Sequence, residues 1–100
     1  MQPAIRAQCG HVFEVSLPEI PASGHVWEVS EAPEGFTLLD QGYGDEMPEK
    51  IGVPRRRRFR FRAGERPGAY TLRFQLRRPW ETAAAREESV TVHLVRLNGQ

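Results

Sequence analysis

Apolar and polar residues alternate along most of this chain with a period of two, which is the pattern of strands with one buried face. The alternation is clearest over residues 69–77, where aromatic or aliphatic side chains occupy every second position. The positions predicted to face inward there are Tyr70, Leu72, Phe74 and Leu76. Helical periodicity is nearly absent, so the pattern predicts an all-β fold.

The same alternation predicts further strands elsewhere in the chain. They cover residues 12–17, 25–29, 36–40, 58–63 and 90–97, and their inward positions include Phe13, Val15, Leu17, His25, Trp27, Val29, Phe59, Phe61, Ala63, Val90, Val92 and Leu94. Turns rich in glycine and proline separate these strands, at a spacing typical of a β-sandwich or a small barrel. Residues 83–88 contain helix formers without an apolar stripe, and we expect a loop there.

Arginine dominates the predicted outer face of one of these strands. Phe59 and Phe61 alternate with Arg58, Arg60 and Arg62. Because successive side chains point to opposite faces of a strand, this pattern predicts a buried aromatic row and a solvated basic row. A nucleic-acid surface, in which aromatic rings stack on bases beside arginines that bind phosphate, is therefore disfavoured.

Charge is unevenly distributed along the chain, although the net charge is only +1. Residues 1–50 hold two basic and nine acidic side chains (−7), whereas residues 51–100 hold twelve basic and four acidic ones (+8). The basic surplus centres on the four consecutive arginines at 55–58. Such a run occurs on surfaces that bind nucleic acid or acidic proteins, and both interpretations stay open beside a solvated face.

Length and composition indicate one globular domain. With 100 residues, of which 39% are hydrophobic and 27% charged, we expect a single domain over residues 1–100. Cys9 is the only cysteine, so an internal disulfide is impossible. No apolar run has the length of a signal peptide or a membrane span. We therefore expect no membrane partner and a cytoplasmic location by default, or a periplasmic or secreted one if a leader has been removed.

The residues that could carry catalysis are too scattered to predict an enzyme. Cys9 and His11 are two residues apart, with His25 and His93 as alternative bases, but no orienting group or oxyanion hole accompanies them. The cysteine and histidines lack the spacing of a zinc site, and no phosphate-binding glycine motif occurs. We expect no catalytic residues, no metal, no cofactor and no small-molecule substrate.

Three turn segments carry residues beyond those that a structural turn needs. The first reads Ile-Pro-Ala-Ser-Gly-His-Val-Trp over residues 20–27, the second is the long connection 42–57 with Gly52-Val53-Pro54, and the third is Arg78-Pro79-Trp80-Glu81. Together they resemble the three binding loops of chagasin-like inhibitors of papain-type cysteine peptidases. In that family an N-P-T-T-G segment precedes an aromatic-x-Trp, a G-x-G-G segment precedes a strand, and R-P-W or R-P-F follows a strand.

The resemblance covers about residues 11–97 and preserves the order and spacing of the three segments. The third segment agrees best, and the sequence at residues 67–72 supports it. In the first segment Pro21, Gly24 and Trp27 match the family, whereas Ile20, Ala22 and Ser23 stand in place of Asn, Thr and Thr. In the second segment only Gly52 remains of the glycines, and Pro54 and Arg55 occupy the positions of two others.

What the resemblance implies is an immunoglobulin-like β-sandwich with three binding loops at one end. The protein would be a monomeric, reversible inhibitor whose loops occlude the cleft of a papain-like cysteine peptidase. The peptidase-binding residues implied are Pro21, Ala22, Ser23, Gly24, Gly52, Val53, Pro54, Arg55, Arg78, Pro79 and Trp80. The alternative hypothesis is an immunoglobulin-like module that binds an acidic protein, or less readily nucleic acid, through residues 55–57 without inhibiting a peptidase.

Individual residues in these segments have more than one interpretation. Trp80 would be an aromatic anchor of the kind that dominates interfaces, or a cap folded over the end of the sandwich. Arg78 would pair with the target, brace the first segment, or pair with Glu81. Trp27 lies on the apolar face of a predicted strand, and we expect it in the core.

Overall fold

The fold is seen in a computed structural model that describes residues 4–20, 23–43 and 55–96. These residues form seven strands: β1 (Ile5–Gln8), β2 (Val12–Glu19), β3 (Val26–Glu31), β4 (Thr37–Tyr43), β5 (Arg55–Arg62), β6 (Gly68–Arg77) and β7 (Arg86–Val95). One sheet has the strand order β1-β7-β6-β3 and the other has the order β2-β5-β4. Paired strands are antiparallel, except that β1 runs parallel to β7. This architecture confirms the predicted all-β, immunoglobulin-like sandwich.

The core lies between the two sheets and is built from the inward positions of the alternating pattern. Phe59 of β5 and Phe74 of β6 meet across the interface with ring centroids 5.0 Å apart. The buried hydrophobic residues are Phe13, Val15, Leu17, Trp27, Phe59, Phe61, Ala63, Leu72, Phe74, Val90, Val92 and Leu94. The placement of Trp27 in the core is thus confirmed, whereas His25 precedes β3 and is only half-buried, so its predicted core position is wrong.

Several strands differ from the sequence prediction in their existence or their ends. Strand β1 was not predicted, and it is held by its parallel pairing with β7. Residues 86–88, expected in a loop, belong to β7, because their backbone continues the pairing with β6 from Arg86 opposite Leu76. Residues 55–57, expected in the second turn segment, already belong to β5 and pair with the last three residues of β2.

The topology gathers three connections at one end of the sandwich, here called the loop end. Strands β2, β4 and β6 finish there, and β3, β5 and β7 begin there, as the pairs Glu19–Arg55 and Val26–Arg77 show. The first loop is residues 20–25, the second loop residues 44–54 and the third loop residues 78–85. The structure describes the third loop in full and the first loop except for residues 21 and 22. The second loop lies outside the described residues. Within the described ranges no helix is long and apolar enough to cross a membrane.

Candidate functional site

The third loop presents an aromatic side chain to solvent. Its first turn is closed by a hydrogen bond from the backbone N–H of Glu81 to the carbonyl oxygen of Arg78 (3.0 Å). Its last residue, Ala85, donates a backbone hydrogen bond to the carbonyl oxygen of Leu76 (2.8 Å). Trp80 lies at the tip and is 74% exposed. The indole therefore does not cap the sandwich, and it is free to contact another molecule.

The first loop is shaped by one serine. The backbone N–H and the hydroxyl of Ser23 both donate to the carbonyl oxygen of Ile20, at 3.0 and 2.8 Å. The hydroxyl oxygen also accepts the backbone N–H of His25 (3.1 Å). Gly24 follows with a φ of +80°, a left-handed conformation that glycine adopts at little cost. Residues 23–25 thus have a defined backbone, and Ser23 and Gly24 are two of the predicted peptidase-binding residues.

The first and third loops touch each other. Arg78 Nε donates to the carbonyl oxygen of Ser23 (3.2 Å), while its nearest approach to the carboxylate of Glu81 is 3.9 Å. A Cβ added at Gly24 would lie 3.5 Å from Cη2 of Trp80 and 3.7 Å from Nε of Arg78. Arg78 therefore braces the first loop, as one of the sequence interpretations had it, and Trp80 packs its edge against Gly24.

A second arginine, Arg77, holds the backbone of the third loop. The alternating pattern predicted only that it lies on the outer face of its strand. One terminal nitrogen of Arg77, Nη1, donates to the carbonyl oxygens of Glu81 (2.7 Å) and Pro79 (3.3 Å). Its Nε donates to Oε1 of Glu28 on β3 (2.8 Å). Hydrogen bonds from Gln75 and Arg77 lower the pKa of Glu28 from its usual 4.5. The ion pair thus fixes the arginine beneath the third loop.

A buried carboxylate, also missed from the sequence, lies at the base of the first and second loops. Glu19 is 2% exposed. It accepts the backbone N–H of Trp27 (2.8 Å), two N–H groups of Arg57 (3.2 Å each) and the hydroxyl of Tyr43. Burial acts to raise the pKa of Glu19, but the hydrogen bonds from Arg57, Tyr43 and Trp27 outweigh it and keep the pKa below 4.5.

A sequence signal for this cluster did exist. Glu19 stands two residues after Leu17, so the period-two pattern of β2 continues into it and points its side chain inward. Arg57 stands two residues before Phe59 on the same face of β5. Two opposite charges at inward positions of paired strands indicate a buried ion pair, since an unpaired buried charge would be very costly.

The arginines at 55–57 are therefore not arranged as predicted. Arg55 lies with its guanidinium carbon 3.9 Å from the ring centroid of Tyr43, and Arg57 lies 4.6 Å from it, both within cation–π range. Arg56 faces outward and donates to the carbonyl oxygen of Ser16 (3.0 Å). The expectation that residues 55–57 belong to the second turn segment is wrong, because β5 begins at Arg55. Their internal contacts do not favour the hypothesis of an acidic partner bound through residues 55–57.

Several predicted site residues lie outside the described part of the chain. They are Pro21, Ala22, Gly52, Val53 and Pro54. The described residues bring together Ser23, Gly24, Arg78, Pro79 and Trp80, and leave Arg55 in the strand below them. Among residues 4–20, 23–43 and 55–96, no three histidine, cysteine or acidic side chains are grouped so as to hold a metal ion.

Comparisons with known proteins agree with this geometry. The family model of the chagasin family peptidase inhibitor I42 matches residues 6–94. The crystal structure of the cysteine protease inhibitor EhICP2 from Entamoeba histolytica superposes with a TM-score of 0.67 at 20% identity, over 92% of this chain and 88% of that one. The solution structure of amebosin gives a TM-score of 0.66 at 22% identity over the same shares. No curated protein sequence matches this chain.

Proposed function

The chain belongs to the chagasin family of peptidase inhibitors, I42, and from this premise we propose that it inhibits papain-like cysteine peptidases reversibly by occluding the active-site cleft with the loop end. The family match confirms the predicted family and the prediction of an inhibitor rather than an enzyme. The similar structure from Entamoeba histolytica is described as a cysteine protease inhibitor, which supports this class of target.

The observation that carries the proposal is the contact between the first and third loops. Arg78 donates to the carbonyl oxygen of Ser23, and the ring of Trp80 lies against Gly24. The described residues of the two loops thus form one edge before any target is present. An ordered edge loses less conformational entropy on binding than two independent loops, so more of the contact energy appears as affinity.

Five described loop residues have a role in this proposal. The exposed indole of Trp80 is the anchor, since large aromatic side chains carry much of the binding energy at interfaces. Ser23 and Gly24 bring their backbone close to the target's catalytic centre, because neither has a bulky side chain. Arg78 braces the first loop against the third, and Pro79 restricts how Trp80 is presented. On the strength of the family resemblance the contact surface also includes Pro21, Ala22, Gly52, Val53, Pro54 and Arg55.

The test is an inhibition titration against a papain-like peptidase with Trp80→Ala beside the unmodified protein. We expect the substitution to raise the inhibition constant about 30-fold or more, which corresponds to a loss of about 2 kcal/mol for a hot-spot residue. Thermal unfolding of the variant should be nearly unchanged, because the side chain is exposed. Val12→Ala is a matched control, since Val12 is an exposed apolar residue at the opposite end of the sandwich.

Two results would contradict the proposal. The inhibitory function fails if the unmodified protein, at micromolar concentration, leaves several papain-like peptidases fully active. The role of the loop end fails if Trp80→Ala and Val12→Ala inhibit as well as the unmodified protein does.

A further inference from the structure

Glu19 connects the two sheets at the point where they support the loops. It is the last residue of β2, an edge strand of one sheet, and it accepts the backbone N–H of Trp27 in β3, an edge strand of the other sheet (2.8 Å). The indole N–H of Trp27 donates in turn to the carbonyl oxygen of Pro18 (2.7 Å). The first loop is the chain between these strands, so both of its roots are tied together directly beneath it.

The same carboxylate holds both roots of the second loop. Tyr43 is the last residue of β4 and Arg57 is the third residue of β5, and both donate to Glu19. Residues 44–54 join these two strands. One side chain of β2 therefore receives a donor from β3, across the first loop, and donors from both strands that flank the second loop.

The chemistry of the cluster requires a carboxylate at this position. Each group that surrounds Glu19 is a donor: a backbone N–H, a phenol O–H and two N–H groups of a guanidinium. A carboxylate accepts on both oxygens, whereas the glutamine side chain of equal shape offers one oxygen and presents an NH₂ group to the remaining donors. Glu19→Gln therefore keeps the volume of the side chain and breaks the pattern of acceptors.

We propose that Glu19 is a positioning residue for inhibition, which fixes the strand ends that flank the first and second loops without itself touching the peptidase. This inference rests on the proposed function. The carboxylate is buried beneath the loop end, so its effect on the peptidase passes through the backbone of the loops that it ties together.

The experiment compares three variants in the same inhibition titration. Glu19→Gln should raise the inhibition constant about tenfold, because loops that have lost their preset geometry must be ordered on binding. Tyr43→Phe removes one hydroxyl and keeps the ring beside Arg55 and Arg57, so it should fold readily and raise the constant by a smaller factor, about threefold. Leu94→Ala, in the core at the opposite end, destabilises the fold and should leave the constant unchanged.

A measurement on the free protein separates positioning from general stability. Amide hydrogen exchange at Ser23, His25 and Trp27 should quicken in Glu19→Gln relative to amides in the middle of β6 and β7. In Leu94→Ala, by contrast, exchange should quicken throughout the core rather than at the first loop.

The possible results have distinct meanings. Equal inhibition by Glu19→Gln and the unmodified protein would overturn the positioning role. Equal weakening by Glu19→Gln and Leu94→Ala would overturn it as well, because the effect would then follow overall stability. An unmodified protein that does not inhibit would overturn the proposed function instead, and the exchange measurement would still decide whether Glu19 holds the first loop.

Discussion

Two carboxylate–arginine pairs support the loop end, and they differ in their access to water. The Glu19–Arg57 pair lies under the first and second loops, with side chains that are 0% and 15% exposed. The Glu28–Arg77 pair lies under the third loop, with side chains that are 40% and 27% exposed. The exposed pair has the shorter N–O distance, 2.8 Å against 3.2 Å. If the N–O distance alone set each pair's contribution to stability, the exposed pair would be the stronger one, and the two would be ranked in the wrong order.

Solvent decides what each pair contributes to stability. Water and salt screen a half-exposed pair, and its loss exposes charges that water can hydrate. Removal of one partner of a buried pair leaves the other charge without compensation, and this is costly. The first and second loops thus rest on a rigid support that is expensive to disturb, whereas the third loop, with Trp80, rests on a weaker one.

The largest effect should come from breaking the buried pair. Arg57→Met should lower the free energy of unfolding by about 3 kcal/mol, because it leaves the carboxylate of Glu19 buried without its cation. Urea unfolding measures this loss. The matched control is Arg60→Met on the outer face of the same strand, whose pair with Asp40 is exposed on both sides, so its loss should stay below about 1 kcal/mol. Equal losses would abolish the distinction between the two kinds of pair.

A change of pH should have an intermediate effect on the free energy of unfolding. The pKa of Glu19 is lower in the folded protein than its usual 4.5, so its ionised form stabilises the fold above that pH, and the contribution is lost as pH falls through the folded-state pKa. The difference in unfolding free energy between the unmodified protein and Glu19→Gln should therefore be largest near neutral pH and shrink in acid. Glu28 is present in both proteins, so its own titration cancels. A difference that stays constant down to about pH 3 would contradict this account.

The smallest effect should come from the exposed pair. Glu28→Gln should lower the unfolding free energy by at most about 1 kcal/mol. The difference should shrink at about 1 M salt, where the Debye length falls to about 3 Å. Unfolding curves at low and high salt provide the measurement. A loss as large as that of Arg57→Met, or one that salt leaves unchanged, would show that the two pairs are equivalent.

Most of the sandwich could be predicted because its core follows a simple alternation. Phe13, Val15 and Leu17 face inward as predicted, as do Phe59 and Phe61. Strand β1 was missed although Ile5 and Ala7 alternate with polar residues and pack against the core, because an alternation of four residues is too short to distinguish a strand from a loop. The polar residues 86–88 carry no apolar pattern, and they join β7 through backbone pairing with β6.

The loop end could be predicted only in outline. The order of the three segments led to the family, and the exposed position of Trp80 agrees with the role expected for it. The supports below the loops were missed, because a hydropathy pattern treats a charged residue as a surface residue. The alternation places Glu19 and Arg57 at inward positions, but which strands pair, and in which register, is not determined by a single sequence. The alternation alone therefore does not show that the two charges meet.

The contacts that hold the described loops have an evolutionary consequence. Arg77 reaches the carbonyl oxygens of Pro79 and Glu81, and Arg78 reaches that of Ser23, so the acceptors belong to the main chain. Every residue type supplies a carbonyl oxygen. Ser23, Gly24 and Arg78 shape the loops and must stay, but loop residues that contribute only a carbonyl oxygen can be exchanged while the framework persists. The binding surface can therefore diversify at those positions on an unaltered scaffold.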